Sequence, residues 1–237
     1  MRDLAAGGVV VESAVSTRLG LAGVNEAAES LAVMRHVAIG AIADMRVHVG
    51  AISSGRSVDA LHGVGAHVSP WHVLLDERAH LERRYDTSLR LDPPLPTASS
   101  RDALVRAVQA GAVAVSSGHR AVPNRTKDLE MAIAEAGASS LALTLPLLLG
   151  ERVLTPLELA RATSAVPARI LGLDDRGKID KGARADLVVL RADVDDVVDA
   201  RVVGSRSPAN PWLGRRIKAR VERTMVAGRN AFERRQS

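Results

Sequence analysis

Ala112-Val113-Ala114-Val115-Ser116-Ser117-Gly118-His119 is a run of small and β-branched apolar residues that ends in two serines, a glycine and a histidine. A strand apolar on both faces is the kind that parallel sheets bury between helices. Its surroundings agree. Ser99 or Ser100 is placed to cap a helix running through Ala110, and Gly111 ends it. Upstream, Glu26 to Ala43 repeats Ala28, Leu31, Ala32, Ile39 and Ile42 at helical spacing. A strand over Arg46 to Ile52 follows, then one helical turn over Ser57 to His62 and a strand over Ala66 to Val68 that stops at Pro70.

Downstream, Gly137 to Leu149 reads as a strongly apolar helix that Pro146 kinks or breaks. Thr155-Pro156 pairs an N-cap with a proline at the first helical position and opens a helix through Ala165. From Gly177 the period becomes strand-like, at Lys178-Ile179, Ala185 to Leu190 and Arg223 to Arg229. This order of elements predicts an α/β fold: part of a TIM-type (β/α) barrel over residues 1–173, with strands of a small β-sandwich over 174–237.

The composition sets limits. Of 237 residues 46% are hydrophobic but only 2% aromatic, so the core has to be aliphatic. There is no cysteine, which excludes disulfides, thiolate nucleophiles and Cys-held zinc and agrees with a cytoplasmic protein. The run from Leu141 to Leu149 is far short of the roughly 20 residues that span a bilayer, so no membrane segment is expected. No basic stretch and apolar run open the chain, so a secretory leader is not expected either. Residues 201–237 hold ten Lys and Arg against Glu222 and Glu233, a net +8 within a total of +5. Arg215 to Arg223 partly alternates charged and apolar residues, as a strand with one solvated face does. An acidic protein partner and nucleic acid are the two other readings of this tail, and no aromatic stacking series supports the second.

Several segments carry a family resemblance. Ser16 to Val24 with Ala28-Glu29 resembles the stretch after the fifth barrel strand of longer-type dihydroorotases, members of the amidohydrolase superfamily. Val47 to Ser54 is similar to their sixth strand, and Val68 to Leu75 and Tyr85 to Leu95 to the loops that follow. Ser117-Gly118-His119, with Lys127-Asp128-Leu129, resembles their eighth strand and its sequel, and Glu135 to Leu149 the next helix. Val166 to Leu173 and Gly177 to Val189 match the superfamily's C-terminal signature, the most specific part. The segments lie in family order along residues 7–237, which favours dihydroorotase over hydantoinase.

The resemblance implies hydrolysis of a cyclic amide by zinc-bound hydroxide, with histidines and carboxylates holding the metal and a strand-eight aspartate moving the proton. It also implies that the chain is truncated, starting after strands one to five and their four ligand positions. The strand-six histidine falls on Ala51 and the strand-eight aspartate on Gly118, and neither residue has a lone pair to donate. No catalytic, metal or cofactor-binding residue is therefore assigned, and no zinc is expected.

His48, His72 and His119 occupy family positions that do not bind metal; Trp71 replaces the histidine before His72. His67 and His72 are five residues apart, poor spacing for one ion, and His36, His62 and His80 stand alone. Asp92 replaces a substrate-facing asparagine, which sets a carboxylate against an anionic substrate, although Asp92-Pro93-Pro94 also reads simply as a turn. Val122 stands where a second substrate-binding histidine would be. The segment from Leu61 to Ala66 is shorter than in the family, leaving a crossover below the roughly 10 residues a parallel unit needs. Three strands alone would leave open edges, so the expected partners are aspartate transcarbamoylase, as for non-catalytic dihydroorotase-like proteins, or a second copy. The rival expectation is an active zinc enzyme completed by a missing N-terminal half.

Overall fold

The structure, a computed structural model, describes residues 7–234; residues 1–6, on which the absence of a leader was read, and 235–237 lie outside the described residues. β1 (Val10–Val11) and β2 (Gly23–Val24) form a short parallel pair joined by α1 (Ala14–Leu19). Ser13 caps α1 through a capping box with Ser16, and Gly20 closes it in the left-handed region at φ 65°.

α2 (Ala27–Ile42) is the helix expected from the 3.6-residue period, and it buries Ala28, Val33 and Gly40. Behind it lies a three-stranded parallel sheet of β3 (His48–Val49), β4 (Gly65–Val68) and β5 (Ala114–Val115), in that order. β3 is much shorter than the expected strand over Arg46 to Ile52. Ala51 turns out of the extended region at φ 53°, and Ile52 N–H returns to the His67 carbonyl at 3.0 Å. The crossover from β3 to β4 is the short one expected, with only α3 (Gly55–Asp59) in it, two residues earlier than the turn read over Ser57 to His62. Ser54 caps that helix, its side chain accepting from Arg56 N–H.

α4 (Ala98–Gln109) leads into β5. Its cap is Thr97, whose side chain accepts from Ser100 N–H; neither Ser99 nor Ser100 is the cap, because the extended residue before the first turn is Thr97. Ala66 and Val68 of β4 join Ile52, Leu104, Val108, Val113 and Val115 in the main core. The alternate residues put His67 on the opposite face of the sheet, with His48.

The helix expected from Gly137 begins only at Thr144, as α5 (Thr144–Gly150). Residues 137–140 tie loops together instead: Gly137 N–H bonds the Arg90 carbonyl and Ser139 N–H the Ala209 carbonyl. Pro146 falls in the first turn, where no helical acceptor awaits its missing N–H, so it starts the helix without kinking it. α6 (Pro156–Ala160) opens on the expected Thr155-Pro156 pair, with a capping box closed by Glu158. It continues through a π-turn over Arg161–Ala165 into α7 (Val166–Leu171), which Gly172 ends at φ 70°.

The C-terminal part is an antiparallel sheet of β6 (Leu187–Val197), β7 (Arg216–Val226) and β8 (Arg229–Glu233). Lys178-Ile179 forms no strand; Lys178 lies in a bend, and Ile179 is irregular and 93% exposed. The strand expected over Arg223 to Arg229 is broken by a two-residue turn, Ala227 at φ 49° and Gly228 at φ 76°, which makes the β7–β8 hairpin. The alternation read in Arg215 to Arg223 is present: Ile217 and Ala219 are buried while Arg216 and Lys218 face out. That buried face packs on α5, where a Cβ at Gly150 would come within 3.2 Å of Lys218 N. A second core forms there from Trp71, Leu89, Leu95, Leu143, Leu147, Trp212 and Ile217. Among the described residues no helix is long and apolar enough to cross a membrane.

Candidate functional site

The C-terminal ends of β3, β4 and β5 converge on Ala51 to Ser54, Ser69 to His72 and Ser117 to His119. Ala51 and Gly118 both have left-handed backbones, φ 53° and 57°. At Gly118 the space is closed as well: a Cβ built there would sit 2.5 Å from Ser69 Cβ. A glycine is thus the residue this backbone accepts, and no carboxylate can be carried at that place without moving β4. Among the described residues no three His, Asp or Glu side chains converge as a metal needs. The residues present do not fit the zinc centre that the resemblance implies.

His72, His119 and His36 are engaged in local hydrogen bonds. His72 is buried; Ser69 Oγ donates to its Nδ1 at 2.6 Å, and its Nε2 donates to the Pro93 carbonyl at 2.9 Å. Burial holds its pKa below the ordinary histidine value. His119 Nδ1 accepts from the backbone N–H groups of Ser140 at 3.1 Å and Leu141 at 3.3 Å, fixing the loop after β5. Trp71 points into the second core, its ring 6.1 Å from that of Trp212. His36 bonds the Ala32 carbonyl at 2.6 Å, and His62 is exposed. His80 is 2% exposed with no partner on Nδ1, and burial pushes its pKa down to about 4.

Asp92 is exposed and lies 3.6 Å from the guanidinium of Arg120, so its carboxylate has a local counter-charge. Val122 is buried, and its carbonyl accepts from Ser207 Oγ.

Two arrangements escaped the linear reading. His48 Nε2 and His67 Nδ1 are 2.8 Å apart, with ring planes at 21°. One ring donates and the other accepts, and burial together with His48 holds the His67 pKa below its ordinary value. Only the register that sets His48 against Gly65 brings the two together. The second is Glu29, whose carboxylate accepts from Ser53 N–H, Ser53 Oγ, Ser54 N–H and Ser57 Oγ at 2.6–3.0 Å. The Ala28-Glu29 pair within the resemblance was the available signal.

Within the basic tail, the cations of β7 are paired locally. Lys218 reaches Asp195 at 2.7 Å, and Arg220 reaches Glu222 at 2.8 Å and Asp196 at 3.3 Å.

Comparison with known proteins fits this architecture. The sequence pattern of the amidohydrolase family matches residues 63–232. A dihydroorotase of Desulforapulum autotrophicum is 33% identical across 98% of this chain and 56% of its own length. A putative dihydroorotase of Rhodopirellula baltica is 36% identical across 98% of this chain and 53% of its own. Among solved structures, the L-hydantoinase (dihydropyrimidinase) from Arthrobacter aurescens superposes with a TM-score of 0.80 at 22% identity, over 98% of this chain and 53% of that one. The dihydropyrimidinase from Brevibacillus agri gives 0.76 at 20% identity, over 88% and 49%. The chain thus spans about half the length of the relatives it matches.

Proposed function

Because the chain belongs to the amidohydrolase family, we propose that it is a dihydroorotase-like member that neither binds zinc nor hydrolyses a cyclic amide. Gly118 carries the reading: a left-handed φ and a 2.5 Å approach to Ser69 Cβ leave no room for a metal-binding side chain there. A metal-activated hydroxide is what makes this chemistry run near neutral pH, and removing ligands removes the catalyst itself. In this reading β3 to β5 are an arc of a (β/α) barrel, and β6 to β8 are strands of a composite β-sandwich. The role left to such a scaffold is structural, with aspartate transcarbamoylase as the proposed partner in the cytoplasm.

The test is metal analysis and dihydroorotate turnover on chain purified from zinc-supplemented cells. The expected result is below about 0.1 zinc per chain and no turnover. One zinc per chain with turnover overturns the reading. Co-purification from cells making both proteins checks the partner; transcarbamoylase absent from the complex removes that assignment.

A second reading has one observation in its favour, the coverage of only 53–56% of the relatives' length. It makes the protein the C-terminal portion of an active zinc-dependent cyclic amidohydrolase completed by an N-terminal half. Adding such a half and finding zinc and turnover supports it; Ala51 and Gly118 argue that the completed site stays empty.

A further inference from the structure

Where α5 meets the C-terminal sheet, the chain leaves an open cleft of about 860 Å³. One wall is the turn from α5 to α6, with Leu149, Arg152, Leu154 and Pro156; the other is β6 over Asp193 to Asp195, with Lys218 of β7 beside it. The cleft forms because two backbones meet closely at one point and part beyond it. Gly150 sits against β7, where a Cβ would lie 3.2 Å from Lys218 N and 3.3 Å from Ala219 N. Just past that contact Arg152 turns the chain away at φ 55°, in the left-handed place that follows many helices and that glycine usually takes.

β6 turns away as well. Ala192 pairs with Ala219 and Asp196 with Ile217, so three residues of β6 stand opposite Lys218 alone. Asp193, at φ 60°, Val194 and Asp195 have no partner in that ladder. A non-glycine residue in the left-handed region is uncommon, and Arg152 and Asp193 both line this one cleft.

Its charges are arranged in two ways. Asp195 is held by both Arg216 and Lys218, the latter at 2.7 Å. Arg152 and Asp193 are exposed, and among the described residues neither side chain forms an ion pair or a hydrogen bond. The surface between them is apolar, from Leu149, Leu154, Pro156 and Val194. One cation and one anion held apart over apolar surface, beside strand backbone without a partner, complement a short chain with both ends free.

We propose that this cleft binds a short peptide of about two or three residues with free termini and apolar side chains. Arg152 takes the C-terminal carboxylate, which its planar fork suits. Asp193 takes the N-terminal ammonium, and Leu149, Leu154 and Val194 receive the side chains. The backbone of Asp193 to Asp195 meets the N–H and C=O groups of the peptide. The volume exceeds that of one amino acid several-fold, which favours a peptide over a free amino acid. No residue of the cleft lies at the ends of β3 to β5, so its occupancy is independent of zinc and of turnover.

The probe is the tripeptide Ala-Leu-Ala, titrated into the isotope-labelled full chain and followed by amide resonances, those of Gly150 and Val194 first. Its N-acetyl form, its C-terminal amide and free L-leucine are the comparisons. Saturable 1:1 binding is expected for the free tripeptide, with each of the other three weaker by about tenfold or more. Arg152→Gly keeps the left-handed turn; it should lose about tenfold and no longer tell the amide from the free peptide. Asp193→Asn also tolerates its backbone; it should lose about tenfold and no longer tell the N-acetyl form from the free peptide. Unfolding or loose apolar binding cannot produce that crossed pattern. No saturable shift up to about 10 mM peptide overturns the proposal, as do capped forms that bind like the free tripeptide or variants that bind like wild type. L-leucine binding as tightly as the tripeptide overturns the peptide assignment in favour of a free amino acid.

Discussion

At Gly118 two penalties coincide of which Gly63 bears only one. The Gly118 φ of 57° disfavours any side chain, and its missing Cβ would lie 2.5 Å from Ser69 Cβ. Gly63 has a φ of 85° with nothing within 4 Å of its missing Cβ, so it bears only the conformational term. Gly63→Ala should therefore cost about 1 kcal/mol, the ordinary price of a left-handed alanine. Gly118→Ala should cost about 2–4 kcal/mol, because β4 or the loop after β5 must also shift. Urea unfolding of the two variants decides it, and equal losses would show that Ser69 does not crowd the site. In the sequence, Ala51 and Gly118 were legible as missing donors, since a residue type is all that statement needs. Their left-handed backbones and the contact with Ser69 were not, because both depend on how β4 and β5 are set side by side.

Glu29 works one scale up, joining elements. Its carboxylate receives two backbone N–H groups and two hydroxyls from the turn between β3 and α3, so one charge holds α2, the end of β3 and the start of α3 together. Near the first turn of α3 that charge also meets the positive end of the helix. Glu29→Gln keeps the shape but turns an NH₂ toward donors, leaving part of the set unpaired. A loss of about 1.5–3 kcal/mol is expected in chemical unfolding, as for other hydrogen bonds to a charged group. A loss below about 0.5 kcal/mol would mean that water satisfies the turn equally well. Among elements, α2 and the start of α6 were legible because the period of α2 and the Thr155-Pro156 pair act within a few residues. β3 was read too long and Gly137 to Leu143 as helix, since apolar content alone cannot show that Ala51 turns or that Ser139 and Ser140 are claimed by distant carbonyls. The His48–His67 contact spans nineteen residues and follows only from strand register.

Over the whole molecule, acid sensitivity is set by histidines buried in their neutral form. Folded His80 takes up a proton only near pH 4, against 6.5 for the free side chain, chiefly because it is buried. Between those values the unfolded chain binds more protons than the folded one, so stability rises with pH through that window and is lost on acidification. The contribution is complete above about pH 6.5 and falls by about 2 kcal/mol on going from pH 7 to pH 5. His67 and His72, lowered chiefly by burial, act in the same direction. Asp76, paired with Arg78 and Arg101, and Asp86 are held below the usual carboxylate range, so their stabilisation is lost only at lower pH. Glu77, raised by burial, opposes the histidines as it takes up its proton, which is why a single-site comparison is needed. Wild type and His80→Gln should be unfolded in urea at pH 7 and pH 5. The variant is expected to lose about 2 kcal/mol less over that interval, since glutamine has no proton to gain. Equal losses would show that His80 is protonated as readily folded as unfolded, and that the acid response belongs to the other buried groups.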